Sequence, residues 1–188
     1  RDMAKVKLGG LKDATKQSDS CVKHIYTLQG VKTQFSDHED GKPTLVTITP
    51  RMGSVSKIDF DFNNCPDLAQ TVVVTCCALD IPFHFKGLTS LKIKETDRIE
   101  ALKRELRKVG YIVRSANDSE LIWDGTKCEP SMEPIDTYED HRMAMAFAPL
   151  AIKFPGLAIN NPEVVSKSYP TFWDDLKSAG FTIEEITD

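Results

Sequence analysis

The sequence predicts an α/β fold, because short segments that alternate between apolar and polar residues are interspersed with segments of helical periodicity. The predicted strands are KPTLVTITP, VSKIDFDF and ELIWDG. One predicted helix is PDLAQTVVVTCCALD, which Pro66 opens in its first turn. Another is EDHRMAMAFAPLAI, which is apolar almost all round after Arg142 and should end or kink at Pro149. A chain of 188 residues can enclose a hydrophobic core around these elements.

Three stretches of the chain repeat one order of signals. Each contains a lysine, a Ser, Thr or Asp that can cap a helix, a helical segment, a glycine that can end the helix, and a short apolar strand. We interpret this order as one supersecondary unit used three times within a single domain, with chance similarity of helix ends as the alternative. In the first unit, SDHEDGKP is predicted to be a solvated hairpin loop. The lysines are Lys16, Lys94 and Lys167, the glycines are Gly30, Gly110 and Gly180, and the units span roughly residues 1–57, 58–125 and 126–188.

The composition argues against several classes of protein. The chain has 24 Lys and Arg against 28 Asp and Glu, a net charge of −4, so no global positive field attracts nucleic acid or an anionic membrane surface. No apolar stretch reaches the about 20 residues of a membrane span, and no apolar run follows the first charged residues as in a signal peptide. The five cysteines are odd in number and lack paired CxxC spacing, which argues against a disulfide scaffold or a zinc site and favours a reducing cytoplasm. Because the chain begins with Arg1 rather than Met, we expect a fragment.

The segment LKIKETDRIEALKRELRKVG carries dense charge at the start of a helix predicted over residues 96–109. Glu95 and Asp97 complement the positive end of the helix dipole. Lys94 and Arg98 are unfavourable there unless an anion lies against the unpaired backbone N–H groups. The pattern therefore indicates an anion-binding site, and a solvated, well-capped helix start is the alternative.

Three further charged groups stand at predicted helix starts. Asp67 follows Pro66, Arg142 follows Asp140 and His141 before the apolar helix, and Lys167 precedes the last helix. Each has an ordinary structural explanation when taken alone: an acid in a first turn, a capping ion pair, or a surface lysine. The planar fork of an arginine at position 142 also suits a carboxylate or a phosphate.

Together these groups bring several carboxylates and cations to helix starts that could face one side of the fold. Such a set can bind a compound with several negative charges and transfer a proton on it. The sequence contains no glycine-rich phosphate loop, metal-ligand set or nucleophile elbow. The carboxylates are Asp67 and Glu95, and the cations are Lys94, Arg98, Arg142 and Lys167.

The motifs KETDR and DHRMAM, in this order, resemble the C-terminal half of the 5-enolpyruvylshikimate-3-phosphate (EPSP) synthase family. The stretches NNCPDLAQT and VVSKSYPTFWDDL resemble two further parts of that family, so the likeness runs from about residue 60 to 180, with SDSCVKHIYTLQGVKTQF matching more weakly. The resemblance implies one domain of the enolpyruvyl transferase fold, built from three βαβαββ units like an inverse α/β barrel. Helix N-termini then point into a cleft between this C-terminal domain and an N-terminal domain that the chain lacks.

The resemblance also implies an activity. Members transfer the enolpyruvyl group of phosphoenolpyruvate to the 5-hydroxyl of shikimate 3-phosphate and release phosphate, a step of the shikimate pathway to aromatic amino acids, without a metal or an organic cofactor. The expected partners are these two substrates and the missing N-terminal domain, with no nucleic acid and no membrane, in the cytoplasm. Since the family's N-terminal phosphate-binding stretches are not among these 188 residues, we expect the chain to fold but not to turn over by itself.

The resemblance assigns a role to individual residues by position. Asp67 would be the general base that takes the hydroxyl proton, and Glu95 would handle the proton at the phosphoenolpyruvate methylene. Lys94 would contact the shikimate hydroxyls and assist Asp67. The other expected substrate contacts are Arg98 and Arg142 to the phosphoenolpyruvate carboxylate, Lys167 on its phosphate side, and Ser90 to shikimate where many members have Asn, with Asp140 and His141 in support.

Two other readings of the sequence stay open. The sister transferase that acts on a UDP-linked amino sugar shares the fold but is not expected to combine KETDR with DHRMAM. A non-catalytic binding or assembly module, with helix starts that are merely capped, would ignore phosphoenolpyruvate and shikimate 3-phosphate.

Overall fold

The computed structural model describes residues 5–9, 18–36, 44–51 and 53–186. Lys16 and all but the first residue of the predicted loop SDHEDGKP lie outside these ranges. Strands and helices are interspersed along most of the described residues, which confirms the predicted α/β class. In chain order the elements are β1 (Val6–Gly9), α1 (Val22–Leu28), β2 (Val31–Phe35), β3 (Leu45–Pro50), β4 (Ile58–Asp61), α2 (Ala69–Ala78), β5 (Phe83–Lys86), α3 (Arg98–Lys108), β6 (Arg114–Ala116), β7 (Glu120–Trp123), α4 (His141–Phe147) and α5 (Phe172–Ser178).

Short 3-10 helices introduce or extend several of these helices. They span Ser18–Cys21, Pro66–Leu68, Thr89–Ile93, Ala148–Ile152 and Pro162–Lys167. The first turn that Pro66 opens is thus a 3-10 turn before α2, and α4 passes into a 3-10 helix that contains Pro149, as the sequence predicts. Among the described residues, no helix is both long and apolar enough to cross a lipid bilayer.

The strands form two sheets. The first has the order β1-β3-β2 and is antiparallel throughout, with the amide of Ser36 donating to the carbonyl of Leu45 at 2.8 Å where β2 and β3 converge. The second has the order β4-β5-β7-β6, in which β4 and β5 are parallel and the other pairs are antiparallel. The second sheet therefore runs from an early parallel pair to a later hairpin, which leaves β4 and β6 at its edges.

The main hydrophobic core lies between the second sheet and helices α2, α3 and α4. Alternate residues of β5 point into it, so that the rings of Phe83 and Phe85 stack with centroids 4.4 Å apart. Helix α2 is buried along most of its circumference, which explains why its sequence shows little amphipathic pattern. Because α2 packs against both α3 and α4, the starts of these three helices are placed by one core.

The glycines predicted to end three helices all do so. Gly30, Gly110 and Gly180 follow α1, α3 and α5 with φ of 89°, 94° and 100°, the left-handed conformation that favours glycine. The strand predicted after the third glycine is wrong, because residues 181–186 are not paired with any described strand, and a strand is held by its backbone bonds to a neighbour. Beyond β7 the described residues form no further strand and take part only in two isolated bridges, Tyr111 with Lys127 and Ile135 with Ile159. The division into three units therefore stays a prediction.

We predict that Gly87→Ala destabilises the chain more than Gly125→Ala does. Both glycines have positive φ, 73° and 95°, so alanine costs about 1 kcal/mol of backbone strain at either position. At Gly87 a Cβ atom would also lie 2.5 Å from the amide nitrogen of Asn63, whereas nothing lies within 4 Å of a Cβ at Gly125. The free energy of unfolding in urea should therefore fall by roughly 2–4 kcal/mol at Gly87. Equal losses for the two variants would contradict the predicted backbone clash.

Candidate active site

Helix α3 begins two residues later than the sequence pattern predicts. Asp97 is its N-cap, and its carboxylate accepts a hydrogen bond from the amide of Glu100 at 3.1 Å. The 3-10 helix Thr89–Ile93 precedes it, so Lys94 and Glu95 lie in the connection between the two helices rather than in the first turn of α3. This connection lets both side chains fold back over the helix start.

The guanidinium of Arg98, the first residue of α3, binds three carboxylates. Its Nε donates to Asp140 at 2.6 Å, its Nη1 to Asp67 at 3.0 Å and its Nη2 to Glu95 at 2.7 Å. Arg98 is only 1% exposed, and Asp140 is fully buried. A buried cation is tolerated because charge-assisted hydrogen bonds replace its hydration, and here each nitrogen of the planar fork has an anionic partner.

Asp67 forms ion pairs with cations from three different segments. Besides Arg98, Lys94 Nζ lies 3.4 Å from Asp67 Oδ1 and Arg142 Nη2 lies 3.3 Å from Asp67 Oδ2. Arg142 also donates from Nη1 to the backbone carbonyl of Asp67 at 3.1 Å. The 3-10 turn before α2 is thereby joined to the start of α4.

Asp140 connects the cluster to α4 in a second way. As the N-cap of α4 it accepts a hydrogen bond from the amide of Arg142 at 2.8 Å through Oδ1, while its Oδ2 accepts from Arg98. One buried carboxylate thus satisfies both a helix start and a buried guanidinium. The supporting role of Asp140 in a reaction stays a prediction.

The local charges alter the proton affinity of both candidate acid–base residues. Partial burial by itself would raise the pKa of Asp67, but the positive charges of Arg142, Lys94 and Arg98 outweigh it and hold the pKa below its ordinary value. A hydrogen bond from its own backbone amide is the main cause that lowers the pKa of Glu95, and the charges of Arg98, His141 and Lys94 lower it further. Both carboxyl groups are therefore ionised at neutral pH.

The structure brings most of the predicted site residues together, but not all of them. Lys167 is exposed at the end of the 3-10 helix Pro162–Lys167, and Ser90 is half-buried in the 3-10 helix Thr89–Ile93. Within the described part of the chain, neither makes a hydrogen bond or an ion pair with the cluster. His141 contributes to the lowered pKa of Glu95. The residues joined directly are Asp67, Lys94, Glu95, Arg98, Asp140 and Arg142, which we call the Arg98 cluster.

Sequence reasoning missed Glu105, which forms hydrogen bonds with the loop that precedes Asp140. This glutamate of α3 is fully buried and accepts hydrogen bonds from the amide of Asp136 at 2.9 Å and the hydroxyl of Tyr138 at 2.6 Å. Lys108 pairs with the same carboxylate at 2.7 Å. Burial and the adjoining carboxylate raise the pKa of Tyr138 to about 12. An acid between Leu102 and Leu106 on the apolar face of α3 was the available signal.

The bonds to Glu105 hold a loop with an uncommon backbone. Tyr138 and Glu139 are consecutive non-glycine residues with φ of 54° and 58°, directly before the N-cap Asp140. Two residues in the left-handed region cost free energy that the surrounding bonds must offset. Helix α3 thus fixes this loop at Glu105 and again at Arg98.

The Arg98 cluster has three cations and three carboxylates, so its charges balance. Lys94 and Arg142 both pair with Asp67, so an anion that binds these two cations has to compete with that carboxylate. The positive charges of Lys94 and Arg142 also keep Asp67 ionised. Ionised carboxylates beside a bound anion are suited to proton transfer, and the cations are suited to carboxylate and phosphate groups. Among the described residues, no group of three or more His, Cys, Asp or Glu side chains is arranged to hold a metal ion.

Comparison with known proteins gives one consistent family. The profile of EPSP synthase (3-phosphoshikimate 1-carboxyvinyltransferase) matches residues 3–176. A 3-phosphoshikimate 1-carboxyvinyltransferase of Bacteroides fragilis is 51% identical over 182 residues, which cover 96% of this chain and 43% of that protein. One of Photobacterium profundum is 33% identical over 171 residues, 91% of this chain and 38% of that protein. The chain therefore belongs to the EPSP synthase family, and it spans less than half of the length of these relatives.

Solved structures agree on the fold. An EPSP synthase structure from Acinetobacter baumannii superposes with a TM-score of 0.73 at 23% sequence identity, over 97% of this chain and 43% of that one. A second structure from the same organism gives a TM-score of 0.71 at 21% identity. The described architecture is thus that of one part of the EPSP synthase fold, as the motifs had predicted.

We predict that replacing the central arginine is far more costly than replacing an exposed one. Arg98→Met leaves three carboxylates without their shared cation and should lower the free energy of unfolding by about 3–5 kcal/mol. Arg98→Lys keeps the charge but not the fork and should lie between Arg98→Met and wild type. Arg114→Met removes an exposed pair with Asp124 and should cost less than about 1 kcal/mol in the same urea titration. Similar costs at both arginines would rule out the proposed central role.

We also predict that the Arg98 cluster makes stability depend on acid pH. Because the pKa of Asp67 is lower in the folded chain than in the unfolded chain, its contribution is fully present above the unfolded pKa of about 4 and is lost as the pH falls through the folded pKa. The difference in free energy of unfolding between wild type and Asp67→Asn should therefore be largest near neutral pH and shrink below about pH 4. Urea titrations across pH measure it, with the exposed Asp174→Asn as the control. A difference that does not change with pH would contradict the prediction.

Proposed function

We propose that this chain is the C-terminal catalytic part of an EPSP synthase. Its reaction joins phosphoenolpyruvate to the 5-hydroxyl of shikimate 3-phosphate and releases phosphate, in the shikimate pathway to aromatic amino acids in the cytoplasm. The observation that carries the proposal is the binding of Asp67 and Glu95 to one guanidinium, that of Arg98. An addition followed by an elimination needs a base for the hydroxyl proton and a second group for the methylene proton around one small molecule. Two ionised carboxylates on a shared cation supply that pair.

Asp67 is the proposed base. Its low pKa makes it a weak base while Lys94 and Arg142 lie beside it, since both favour the ionised form. An anionic substrate that binds these two cations neutralises part of their charge and raises the proton affinity of the carboxylate. Substrate binding would thus strengthen the base at the moment when the hydroxyl has to lose its proton.

Glu95 is the proposed acid and base at the methylene carbon. Its side chain is 48% exposed, which makes it the most exposed of the three carboxylate partners of Arg98, since Asp67 is 31% exposed and Asp140 is fully buried. The carboxylate of phosphoenolpyruvate can replace Glu95 at Nη2 of Arg98, one carboxylate for another. Glu95 would then be released to give a proton to the methylene carbon in the addition and to take one back in the elimination.

The remaining predicted contacts complete this arrangement. Arg142 is half-exposed and can turn one face of its guanidinium to the phosphoenolpyruvate carboxylate, while Lys94 bridges Asp67 and the shikimate hydroxyls. Lys167 is proposed to contact the phosphate side of phosphoenolpyruvate, and Ser90 is proposed to contact shikimate. The exposed position of Lys167 is compatible with that role, because a lysine side chain is long and flexible.

The chain alone is proposed to be inactive. It spans 43% of the Bacteroides fragilis relative, which supports the proposal that further groups for shikimate 3-phosphate come from a second domain. Its partners are therefore the two substrates and that N-terminal domain. The net charge of −4 supports neither nucleic acid nor an anionic membrane as a further partner.

A chimeric enzyme tests the proposed function. The 182 residues of this chain would replace the matched residues of the Bacteroides fragilis synthase, and phosphate release from phosphoenolpyruvate and shikimate 3-phosphate would be measured. We expect the chimera to release phosphate and the isolated chain to release none. In the chimera, Asp67→Asn and Glu95→Gln should each lower kcat roughly 100-fold or more, because general acid–base groups contribute that much.

The matched control is Glu100→Gln in the same chimera. Glu100 lies on the first turn of α3, near Glu95 in the chain, but pairs with Lys103 at 2.7 Å outside the Arg98 cluster, so kcat should change less than about threefold. A folded chimera that is silent beside an active parent enzyme would refute the proposed activity. A folded Asp67→Asn chimera with normal kcat would refute the role of that residue.

A further inference from the structure

Two thiols from distant parts of the chain are in contact near the Arg98 cluster. Cys21 ends the 3-10 helix before α1, and Cys65 precedes the 3-10 turn that leads into α2. Their Sγ atoms lie 2.9 Å apart, although the residues are 44 positions apart in sequence. That separation is shorter than ordinary contact between two sulfur atoms, so only a small movement separates the thiols from bonding distance.

The two cysteines differ in exposure in the way that a reacting pair needs. Cys21 is partly exposed, whereas Cys65 is 3% exposed and belongs to the core. A small oxidant can therefore reach Cys21 first, and Cys65 is the neighbouring thiol that can complete a disulfide. All five cysteines of the chain are thiols in the structure.

The surrounding bonds hold the pair in place. Further along the two helices, the hydroxyl of Tyr26 is 3.2 Å from that of Thr75, and Gln29 Nε2 donates to Cys76 Sγ at 3.0 Å. These contacts follow the same order along α1 and α2 as the cysteine pair, so the helices lie side by side in one direction. The contact between Cys21 and Cys65 is thus the first of a series rather than an isolated approach.

Cys65 is also part of the turn that positions Asp67. Its carbonyl accepts a hydrogen bond from the amide of Leu68 at 3.1 Å, which closes the first turn around Asp67. Its own amide donates to the carbonyl of Phe62 at 2.9 Å. Cys65 lies two residues before Asp67, the proposed base. A covalent bond from Cys65 to Cys21 would therefore link the backbone near Asp67 to the start of α1.

We propose that Cys21 and Cys65 form a reversible disulfide when the chain meets a peroxide. The thiolate of Cys21 attacks one peroxide oxygen, so that an S–O bond forms, the O–O bond breaks and, with hydrogen peroxide, the leaving hydroxide takes up a proton to give water. The thiol of Cys65 loses its proton and attacks the sulfenic sulfur of Cys21, so that an S–S bond forms, the S–O bond breaks and a second water leaves. Two thiols are oxidised by two electrons, which the peroxide accepts. A dithiol reductant reverses the step by thiol–disulfide exchange.

The other cysteines are poorly placed for this chemistry. Burial raises the pKa of the Cys76 thiol to about 12, and burial also raises the pKa of Cys77 well above its ordinary value, so neither is a ready thiolate. Cys128 is partly exposed, and its thiol donates a hydrogen bond to the carbonyl of Arg107 at 3.7 Å rather than contacting a second thiol. It is the matched control, since it shares the exposure of Cys21 and lacks a neighbouring cysteine.

The experiment oxidises the native chain with hydrogen peroxide in increasing amounts. Remaining thiols are alkylated, the protein is unfolded and digested, and the peptides are identified by mass spectrometry. We expect a peptide pair joined through Cys21 and Cys65, lighter by two hydrogens, at peroxide doses that leave Cys128 alkylatable, and its loss on treatment with dithiothreitol. The disulfide should also raise the Tm by roughly 5 °C or more, because it closes a long loop of the unfolded chain.

Variants separate this result from other oxidation. Cys128→Ser should form the same crosslink at the same dose, and Cys65→Ser should leave Cys21 as a sulfenic acid or a more oxidised form without a crosslink within the chain. Any of three results would overturn the proposal: oxidation of Cys128 before Cys21, crosslinks only between chains, or crosslinks of Cys21 to a cysteine other than Cys65. The peptide map of the wild-type chain decides the question even where a variant fails to fold.

Discussion

The rest of the site depends on the ion pairs between the buried guanidinium of Arg98 and three carboxylates. This guanidinium joins carboxylates from three separate segments, the turn before α2, the connection before α3 and the cap of α4. A buried cation is stable only while its donors are occupied, so the folded chain requires these three segments to converge. Formation of the site is therefore coupled to folding. The same ion pairs orient the proposed catalytic groups and join the starts of helices that pack in one core, α2, α3 and α4.

Charge balance explains how a chain with a net charge of −4 can present a site for anions. The cations of the Arg98 cluster are neutralised by side chains that differ in exposure, from fully buried Asp140 to half-exposed Glu95. An anionic ligand therefore meets a graded set of internal anions, of which the outermost is the easiest to displace. Exchange of one carboxylate for another avoids leaving the guanidinium without a partner at any stage, which keeps the cost of opening the site low.

The sequence was informative where a residue type conflicts with its local position. Cations at a helix start and an arginine fork before an apolar helix pointed to Arg98 and Arg142, and three glycines marked three helix ends correctly. The partners of these residues depend on how α2, α3 and α4 pack, which is non-local, so neither the threefold pairing of Arg98 nor the exposed position of Lys167 could be derived. The start of α3 was misplaced because Asp97, the real cap, stands among other acids. Glu105 is buried on the apolar face of α3, but the many charged residues of that helix obscured this position in the sequence.

The bonds around Glu105 have a consequence for the history of the family. One buried carboxylate accepts from the amide of Asp136 and the hydroxyl of Tyr138 and pairs with the ammonium of Lys108, so a substitution at any one of these side chains removes a bond from another. Sequence change at these positions during evolution has to pass through a variant with an incompletely paired side chain, or it has to replace several residues at once. Positions 105, 108 and 138 should therefore be inherited as a set, and a lineage that lost one of them would be expected to have rebuilt the loop before α4 by different means.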